Sequence, residues 1–168
     1  MTTWTVISPA ADTKLYVAVG DRGICHISFT NDIPAGWTRK DSHPLLREAA
    51  RQLTSYFERR LKEFDVPLEM NGTPFQRKVW DTLLEIPYGE VISYAQLADK
   101  VGSPRGFRAV GAANGKNPIP IIVPCHRVIN TGGGLGGYSC GLPYKRRLLE
   151  LEGVQVDALR QLSFTAAV

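Results

Sequence analysis

The alternation of apolar and polar residues near the start of the chain predicts β-strands. Residues 14–19 and 24–29 alternate and are rich in strand-forming side chains. The four residues between them, 20–23 (GDRG), have the composition of a tight turn. We therefore expect a β-hairpin, followed at residues 31–41 by a loop rich in Asn, Asp, Pro and Gly.

Apolar residues then recur every three or four positions, which predicts a helix that begins near Ser42. Ser42 is a candidate N-cap, and Pro44 falls in the first turn. The apolar face consists of Leu45, Leu46, Ala49, Leu53, Tyr56, Phe57 and Leu61. The turn-forming pair Asn71-Gly72 follows, and we place a domain boundary there. Residues 1–71 are thus expected to form an α/β N-terminal domain, a small β-sheet plus a helix.

Residues 72–153 show helical spacing with short interruptions, which predicts a mainly α C-terminal domain. Start signals place its four helices from Pro74, from Tyr94 after the candidate cap Ser93, from about Pro104 to Ala113, and from Tyr144 to Glu152. Residues 154–168 remain as a C-terminal tail.

The second and third of these helices are short and are joined by a turn that contains Gly102, which is the pattern of a helix-turn-helix. The third helix would be the recognition helix. Its small residues are Gly106, Ala109, Gly111, Ala112 and Ala113. Small side chains let a ligand such as DNA approach closely, or equally let the helix pack tightly in the core, and the pattern alone favours neither.

The composition excludes several classes of protein. With 43% hydrophobic and 21% charged residues, the chain is typical of a globular protein. No apolar run approaches the roughly 18 residues that a membrane span needs. The N-terminus has neither a basic flank nor an apolar stretch, so we expect no signal peptide and a cytoplasmic location. The 3 cysteines are too scattered for a disulfide framework.

The net charge of +4 is distributed unevenly along the chain. Basic and acidic residues cancel over residues 1–71, so residues 72–153 carry the whole excess. A basic half indicates an anionic partner, with nucleic acid foremost, although a slightly basic solvated surface is the alternative.

Candidate chemistry centres on Cys125. The apolar run 119–123 is expected to be a buried strand, and it leads directly into Pro124-Cys125-His126-Arg127. A thiol is nucleophilic as the thiolate, and neighbouring His and Arg side chains favour that form. The alternative is that Cys125 is a small buried hydrophobe, as most single cysteines are.

Two other kinds of site have little support. Cys25-His26 and Cys125-His126 are two Cys-His pairs, but zinc ligands are normally separated by two or more residues, so we expect no metal. Residues 132–139 are rich in glycine but lack the phosphate-loop pattern. We interpret this glycine-rich loop as a mobile wall of a pocket.

Six short motifs occur together in the second half of the chain. They are Gly89–Tyr94, Arg108–Gly111, Asn117-Pro118, Pro124–Val128 (PCHRV), Gly137–Ser139 and Leu148-Leu149-x-x-Glu152-Gly153. Their order and spacing resemble those of the O6-alkylguanine-DNA alkyltransferases, also named methylated-DNA–protein-cysteine methyltransferases. The resemblance is strong from about Thr73 to Gly153 and loose but compatible over the first seventy residues.

The resemblance implies a DNA repair protein that reacts once. Proteins of this family move the alkyl group of O6-alkylguanine, and of O4-alkylthymine, irreversibly onto one of their own cysteines. The implied partner is double-stranded DNA that contains the lesion, bound by a monomer through the minor groove, and no cofactor is needed. Because the alkylated oxygen lies inside the duplex, the nucleotide has to be flipped out.

The resemblance also implies roles within the site. Cys125 attacks the alkyl carbon, His126 accepts the thiol proton through a water molecule, and Glu152 orients His126. Tyr94 hydrogen-bonds the base near N3 and assists its protonation. Asn117 holds the loop that precedes the cysteine.

Other residues are implied to hold the base and the DNA. Ser139 and the backbone around Val128 and Tyr138 recognise the edge of the guanine. Arg108 fills the space that the flipped base leaves, with an ordinary phosphate contact as the alternative. The remaining DNA-contacting positions on the recognition helix are Phe107, Gly106, Ala109 and Gly111.

Two positions depart from the usual family pattern. Phe107 stands where a small residue is usual, and Cys140 replaces a common glycine. Two other functions are also compatible with the chain. One is an alkyltransferase-like protein that binds the lesion without chemistry, although such proteins lack the cysteine. The other is a helix-turn-helix transcription factor.

Overall fold

The computed structural model describes residues 1–159 and divides the chain into two compact units, Met1–Asn71 and a unit that begins at Gly72. Residues 160–168 of the predicted tail lie outside the described residues. Within the described part, no helix is long and apolar enough to cross a bilayer.

The first unit pairs a small sheet with one helix. Its elements are β1 (Thr3–Ala10), β2 (Thr13–Val19), β3 (Ile24–Ser28), β4 (Thr38–Arg39) and α1 (Pro44–Phe57). The strand order is β3-β2-β1-β4, with β4 parallel to β1 and the other pairs antiparallel. Helix α1 packs mainly against β1 and β2, and the core of this unit lies between them.

The predicted hairpin is confirmed as β2 and β3, but the sequence pattern does not reveal β1 or β4. Strand β1 contains Pro9, and its register is irregular between Ile7 and Ala10, so a clean alternation is missing. Strand β4 has only two residues, which pair with Thr3 and Trp4. Such a short strand depends on its neighbour rather than on its own sequence, and it falls within the predicted loop.

Helix α1 begins close to its predicted start but with a different cap. The N-cap is His43 rather than Ser42, since Nδ1 of His43 accepts a hydrogen bond from the backbone of Leu45 at 3.1 Å. The helix ends at Phe57, so Leu61 lies outside it. Its buried residues are Leu46, Ala49, Gln52, Leu53, Tyr56 and Phe57.

The second unit is mainly helical, as predicted. Its elements are α2 (Pro74–Leu83), β5 (Ile92–Ser93), α3 (Tyr94–Lys100), α4 (Phe107–Gly115), β6 (Val128–Ile129) and α5 (Leu142–Leu151). Single 3-10 turns occur at Cys125–Arg127 and Val156–Ala158. Strands β5 and β6 pair in parallel, and α4 packs against α2 and α3.

Both α2 and α3 begin with a capping box. The side chain of Thr73 accepts a hydrogen bond from the backbone of Gln76, and the Gln76 side chain accepts one from the backbone of Thr73. Ser93 and Gln96 form the same pair of bonds. These caps fix where the two helices begin, and so make Tyr94 the first residue of α3.

Helices α3 and α4 form the predicted helix-turn-helix, but α4 begins at Phe107, about three residues later than predicted. Gly106 precedes the helix with a non-helical backbone. A Cβ atom at Gly106 would lie 2.4 Å from Oγ of Ser103, so this turn is built around a glycine.

The small residues of α4 divide between its two sides. Ala109 and Ala112 are exposed, whereas Ala113 is buried. On the buried side, Nε1 of Trp80 donates a hydrogen bond to the backbone oxygen of Ala113 over 2.8 Å. Both interpretations of the small residues therefore hold, with close packing on one side and an accessible surface on the other.

The apolar run 119–123 is buried but is not a strand, so that prediction is wrong. Prolines within and beside the run remove backbone donors. Ile121 has a left-handed backbone with φ of 76°, which a strand cannot accommodate. Cys125 therefore follows an irregular buried loop and begins a 3-10 turn.

Candidate active site

Cys125 lies between the irregular loop and β6, and it is only 2% exposed. Burial raises the pKa of the Cys125 thiol to about 11. Hydrogen bonding by Asn117 and Tyr138 and the charge of Lys145 lower this pKa, but by less than burial raises it. The thiol is therefore protonated at neutral pH and needs a base to become a nucleophile.

His126 is fully buried beside the cysteine and is held at one ring nitrogen. Its Nε2 atom lies 2.7 Å from Oε2 of Glu152. The other nitrogen, Nδ1, is buried and has no hydrogen-bond partner among residues 1–159. Burial lowers the pKa of His126, although Glu152 raises it, so the imidazole is neutral near pH 7. With Nε2 donating to the carboxylate, Nδ1 carries the lone pair that can accept a proton.

Glu152 directly follows α5 and accepts hydrogen bonds from several groups. Besides His126, Arg127 donates from Nε and Nη2 over 2.9 and 3.0 Å, and the backbone N–H of Gly89 donates over 3.0 Å. Burial raises the pKa of Glu152, but the hydrogen bonds from His126 and Arg127 outweigh burial and hold that pKa well below its usual range. Glu152 is thus a buried carboxylate anion.

Arg127 makes contacts that its place in the sequence does not indicate. The sequence suggests a positive neighbour of Cys125, whereas the guanidinium is paired with Glu152. Its remaining nitrogen, Nη1, donates to the backbone oxygen of Ile86 over 2.6 Å, and its guanidinium carbon lies 5.9 Å from the centre of the Tyr88 ring. The residue is only 6% exposed, so these contacts lie in the interior.

Asn117 braces the loop that leads to Cys125. Its Nδ2 atom donates to the backbone oxygen of Val123 over 2.7 Å, and its Oδ1 atom accepts from the backbone of Ile119 over 2.9 Å. These two bonds fix the irregular backbone on the N-terminal side of the cysteine without the ladder that a strand would provide.

Tyr94 and Asn114 lie together where α3 meets α4. Nδ2 of Asn114 is 3.4 Å from the backbone oxygen of Cys125, and the Asn114 side chain hydrogen-bonds Tyr94. Burial raises the pKa of Tyr94, and the bond with Asn114 lowers it by less. Gly111 lies one turn earlier in α4, where a Cβ atom would be 4.0 Å from the Tyr94 ring. Asn114 is absent from the sequence predictions, although a polar side chain in a helix of small residues was an available signal.

Lys145 is also absent from the predictions, and it is fully buried. Helix α5 begins at Leu142 rather than Tyr144, and Lys145 lies on its apolar side with Leu148 and Leu149. The Nζ atom donates to three backbone oxygens, those of Val128 over 2.7 Å, Gly137 over 3.1 Å and Leu135. Burial lowers the pKa of Lys145 to about 8. The spacing of three and four residues to the two leucines was the signal that could have identified it.

The glycine-rich loop approaches Tyr94 closely at Gly136. Gly136 has a φ of 73°, and a Cβ atom there would lie 2.8 Å from Oδ1 of Asn130 and 3.1 Å from the Tyr94 ring. A side chain does not fit at this position. The bonds from Lys145 hold the loop, and glycine at position 136 lets it lie close to the tyrosine.

The three positions predicted to recognise the base lie around this loop. Val128 is buried, Tyr138 is half-buried and Ser139 is exposed. The backbone oxygen of Val128 already accepts a hydrogen bond from Lys145, and a carbonyl oxygen has a second lone pair. Cys140 follows at the end of the loop, and its thiol is close enough to Cys125 to raise the pKa of that thiol.

The predicted DNA-contacting residues are on α4 and its N-terminal turn. Phe107, Arg108 and Ala109 are exposed, Phe107 by 50%, whereas Gly106 and Gly111 are half-buried. They do not belong to the buried cluster around Cys125. The structure thus has a buried chemical centre and, separately on α4, an accessible surface that presents the Arg108 cation and the Phe107 ring.

Within residues 1–159, no group of three or more His, Cys, Asp or Glu side chains could hold a metal ion. Cys25 is half-buried, and burial raises the pKa of its thiol to about 11. The adjacent His26 instead places Nε2 at 3.0 Å from Oδ1 of Asp32.

Profiles of known protein families match both halves of the chain. The family profile described as "6-O-methylguanine DNA methyltransferase, DNA binding domain" matches residues 74–154. A second profile, "6-O-methylguanine DNA methyltransferase, ribonuclease-like domain", matches residues 11–70.

Individual relatives give the same result. A Methanosarcina barkeri protein named methylated-DNA–protein-cysteine methyltransferase is 47% identical over 143 residues, which cover 82% of this chain and 89% of its own. A Mycobacterium bovis protein of the same name is 59% identical over 110 residues, or 66% and 67% of the two chains. The crystal structure of Mycobacterium tuberculosis OGT in complex with DNA is 42% identical, covers 94% of this chain and 98% of that chain, and has a TM-score of 0.80. These matches confirm the resemblance that the motifs indicate, and the chain belongs to the 6-O-methylguanine DNA methyltransferase family.

Proposed function

We propose that this protein repairs DNA by moving the alkyl group of O6-alkylguanine onto Cys125 in a single-turnover reaction. The observation that carries this proposal is a buried thiol next to a His126–Glu152 pair in which Nδ1 of the histidine is available. Relatives carry the name methylated-DNA–protein-cysteine methyltransferase, and one similar structure is a complex with DNA. The protein is an enzyme of that class.

The reaction is a displacement at the alkyl carbon. The thiol proton of Cys125 passes through a water molecule to Nδ1 of His126, which leaves a thiolate and an imidazolium. The sulfur bonds to the alkyl carbon while the bond between that carbon and O6 breaks, and the electron pair of the broken bond goes to the guanine. Tyr94 donates a proton to the departing base near N3 and regains one from solvent, while His126 releases the proton that it took. The thiol and the alkylated base thus become a thioether and guanine.

The product explains why each molecule reacts once. An alkyl thioether is stable in water, so the modified cysteine is not regenerated. The scheme uses only the substrate, water and groups of this chain, and therefore no cofactor takes part. One molecule of protein is consumed for each lesion.

The base binds between Tyr94 and the glycine-rich loop in this proposal. Ser139 and the backbone at Val128 and Tyr138 contact its edge, and the second lone pair of the Val128 oxygen accepts from the exocyclic amine of guanine. The anchoring of the loop by Lys145 supports this arrangement, because it fixes the loop beside Tyr94. O4-alkylthymine carries its alkylated oxygen on a smaller ring, and we propose it as a second substrate.

Helix α4 enters the minor groove in this proposal, and the lesion nucleotide is flipped into the site. Flipping is required because O6 of guanine is stacked inside the duplex. Arg108 fills the space left by the base, and Phe107 acts as an apolar wedge beside a base step. Gly106, Ala109 and Gly111 allow close approach to the floor of the groove. The protein acts as a monomer in the cytoplasm.

Lesion binding without chemistry is a second function that the sequence leaves open. No observation favours it, since Cys125 is present and lies beside the His126–Glu152 pair. A transcription factor that only binds DNA would likewise have no use for this buried pair.

Intact-mass measurement after incubation with O6-benzylguanine tests the proposal. We expect the wild type to gain one benzyl group and Cys125→Ser to gain none. Cys25→Ser is the matched control and is expected to react like the wild type. The Cys25 thiol is also partly buried, with its pKa raised to about 11, but its neighbour His26 is paired with a partly exposed Asp32.

The Cys125→Ser variant is expected to keep its affinity for duplex DNA, because the exposed side of α4 is unchanged. This can be measured by fluorescence anisotropy with a labelled duplex. Alkyl transfer by Cys125→Ser, or formation of more than one equivalent of guanine per wild-type molecule, would contradict the proposal.

A further inference from the structure

When a buried carboxylate lies beside a buried imidazole, the negative charge normally draws a proton onto the imidazole. The Glu152 carboxylate and the His126 ring are 2.7 Å apart and fully shielded from solvent. An isolated negative charge in such a place is costly, and a proton on the imidazole would remove that cost by making an ion pair. A histidine that already carries this proton could not accept one from Cys125. The pair therefore needs another source of positive charge.

Arg127 lies where such a charge is needed. Its Nε and Nη2 atoms form a two-pronged contact with both carboxylate oxygens of Glu152, over 2.9 and 3.0 Å. The bond from Nη1 to the backbone oxygen of Ile86 holds the guanidinium from the opposite side. Arginine supplies a positive charge in a planar fork of donors that matches the two oxygens of a carboxylate.

Among residues 1–159, three charged side chains act on His126. Glu152, from the end of α5, contributes one negative charge. Arg127 and Lys145 contribute positive charges that disfavour protonation of the ring. Lys145 lies within α5. Arg127 offsets Glu152 directly, because its donors occupy the same carboxylate that binds the histidine.

We propose that Arg127 is a positioning residue of the proton relay formed by Cys125, His126 and Glu152: its guanidinium neutralises Glu152, so that the carboxylate orients His126 while the ring stays neutral. The inference rests on the proposed function, since it concerns how the relay takes the thiol proton. When that proton arrives, the sulfur becomes negative and the ring positive, and the net charge of the buried cluster does not change. Without Arg127, the uncompensated carboxylate of Glu152 would attract a proton to the ring more strongly, against the burial that disfavours it.

The rate of reaction with free O6-benzylguanine, measured from pH 5 to 9, tests this role in two variants. Arg127→Met removes the charge, and we expect the acid limb of the pH–rate profile to move to higher pH by about one unit or more. Arg127→Lys keeps the charge but loses the two-pronged contact, so its acid limb should stay near that of the wild type while its maximal rate falls. A purely structural role would lower the rate of both variants equally at every pH.

The control is Arg51→Met, which removes an exposed arginine that pairs with Glu48 on α1. This variant is expected to keep the wild-type rate and profile. An Arg127→Met profile with an unmoved acid limb would overturn the inference, whereas a wild type that gains no benzyl group on Cys125 would overturn the proposed function instead.

Nitrogen NMR of the wild type provides a test that needs no variant and no activity. The chain has 3 histidines, so their ring signals are few enough to assign. We expect His126 to be neutral at pH 7, with the proton on Nε2. A doubly protonated His126 at pH 7 would refute the inference even if Arg127→Met does not fold.

Discussion

Replacing Lys145 with methionine tests whether a buried ammonium holds the glycine-rich loop in place. Methionine fills a similar volume but has neither a charge nor a donor. The oxygen of Val128 would lose its partner in a buried setting, and that of Leu135 would lose its partner in a partly buried one. The oxygen of Gly137 lies in an exposed residue and can turn to water.

Two opposing effects of this substitution act on stability at pH 7. Each buried carbonyl that loses its partner costs about 1–3 kcal/mol. Removing the charge relieves the cost that burial imposes on the ammonium. The pKa of Lys145 falls from 10.5 to about 8, which corresponds to roughly 3 kcal/mol. Because these terms largely cancel, the free energy of unfolding at pH 7 changes little and is a poor readout.

Activity is the sharper readout for Lys145→Met. The loop that ends in Ser139 loses its anchor, and a displacement of about 1 Å near a reacting centre can slow a reaction by roughly 100-fold. We expect a loss of that order in the rate with O6-benzylguanine, measured by mass spectrometry. Binding to duplex DNA should be unchanged, because α4 is not touched. An unchanged rate would show that the loop does not depend on Lys145.

The pH dependence of stability isolates the charge of Lys145. The unfolded chain keeps this proton up to about pH 10.5, whereas the folded protein releases it near pH 8. Between these values the unfolded state binds more protons, so raising the pH stabilises the folded wild type. Relative to Lys145→Met, the wild-type free energy of unfolding should rise by up to about 3 kcal/mol from pH 8 to 10.5 in urea titrations. The thiols of Cys25 and Cys125, with raised pKa values, act in the opposite direction in both proteins. The contribution of Cys25 cancels in the difference, whereas Lys145 lowers the pKa of Cys125, so the opposing effect of that thiol is larger in Lys145→Met and adds to the difference. A difference that stays constant with pH would refute the reasoning.

Three further substitutions separate base flipping, chemistry and pocket size. Arg108→Ala should slow repair of O6-methylguanine in a duplex far more than reaction with free O6-benzylguanine, which needs no flipping. Tyr94→Phe should slow both reactions. Equal slowing of the two reactions by Arg108→Ala would contradict the role of Arg108 in flipping. Cys140→Gly should leave repair of methyl groups unchanged and speed reaction with benzyl groups, because it removes a side chain at the end of the glycine-rich loop. Peptide mapping of the wild type should find the alkyl group on Cys125 only, since neither Ser139 nor Gly141 beside Cys140 is basic.

The sequence predicts the fold best where a local signal decides the structure. The starts of α2 and α3 depend on capping pairs three residues apart, Thr73 with Gln76 and Ser93 with Gln96, and both starts are confirmed. Strand β1 and the run 119–123 fail for the opposite reason. Pairing with a neighbour makes β1 a strand, and a left-handed Ile121 inside a buried loop prevents a strand that the composition favours.

The residues of the site also divide into those that a local sequence signal identifies and those that it does not. Cys125, His126 and Glu152 can be named from short motifs, and the structure brings the last two into direct contact. Arg127 and Lys145 cannot be assigned a function from their neighbours in the sequence. Their partners are backbone oxygens and a carboxylate that are 8 to 41 residues away, so only the folded chain shows what these charges contact.

The buried charges around Cys125 explain why this site suits a thiolate that must transfer its charge to a leaving base. Glu152 is negative, and Arg127 and Lys145 are positive, so the cluster carries one net positive charge before reaction when His126 is neutral. Lys145 lowers the pKa of the Cys125 thiol, which is otherwise raised by burial. In a site with a low dielectric constant, fixed positive charge stabilises negative charge as it forms on sulfur and then on guanine, and it does so without rearrangement. The thiol therefore stays protonated and protected at rest, and it becomes a nucleophile when the proton moves to His126.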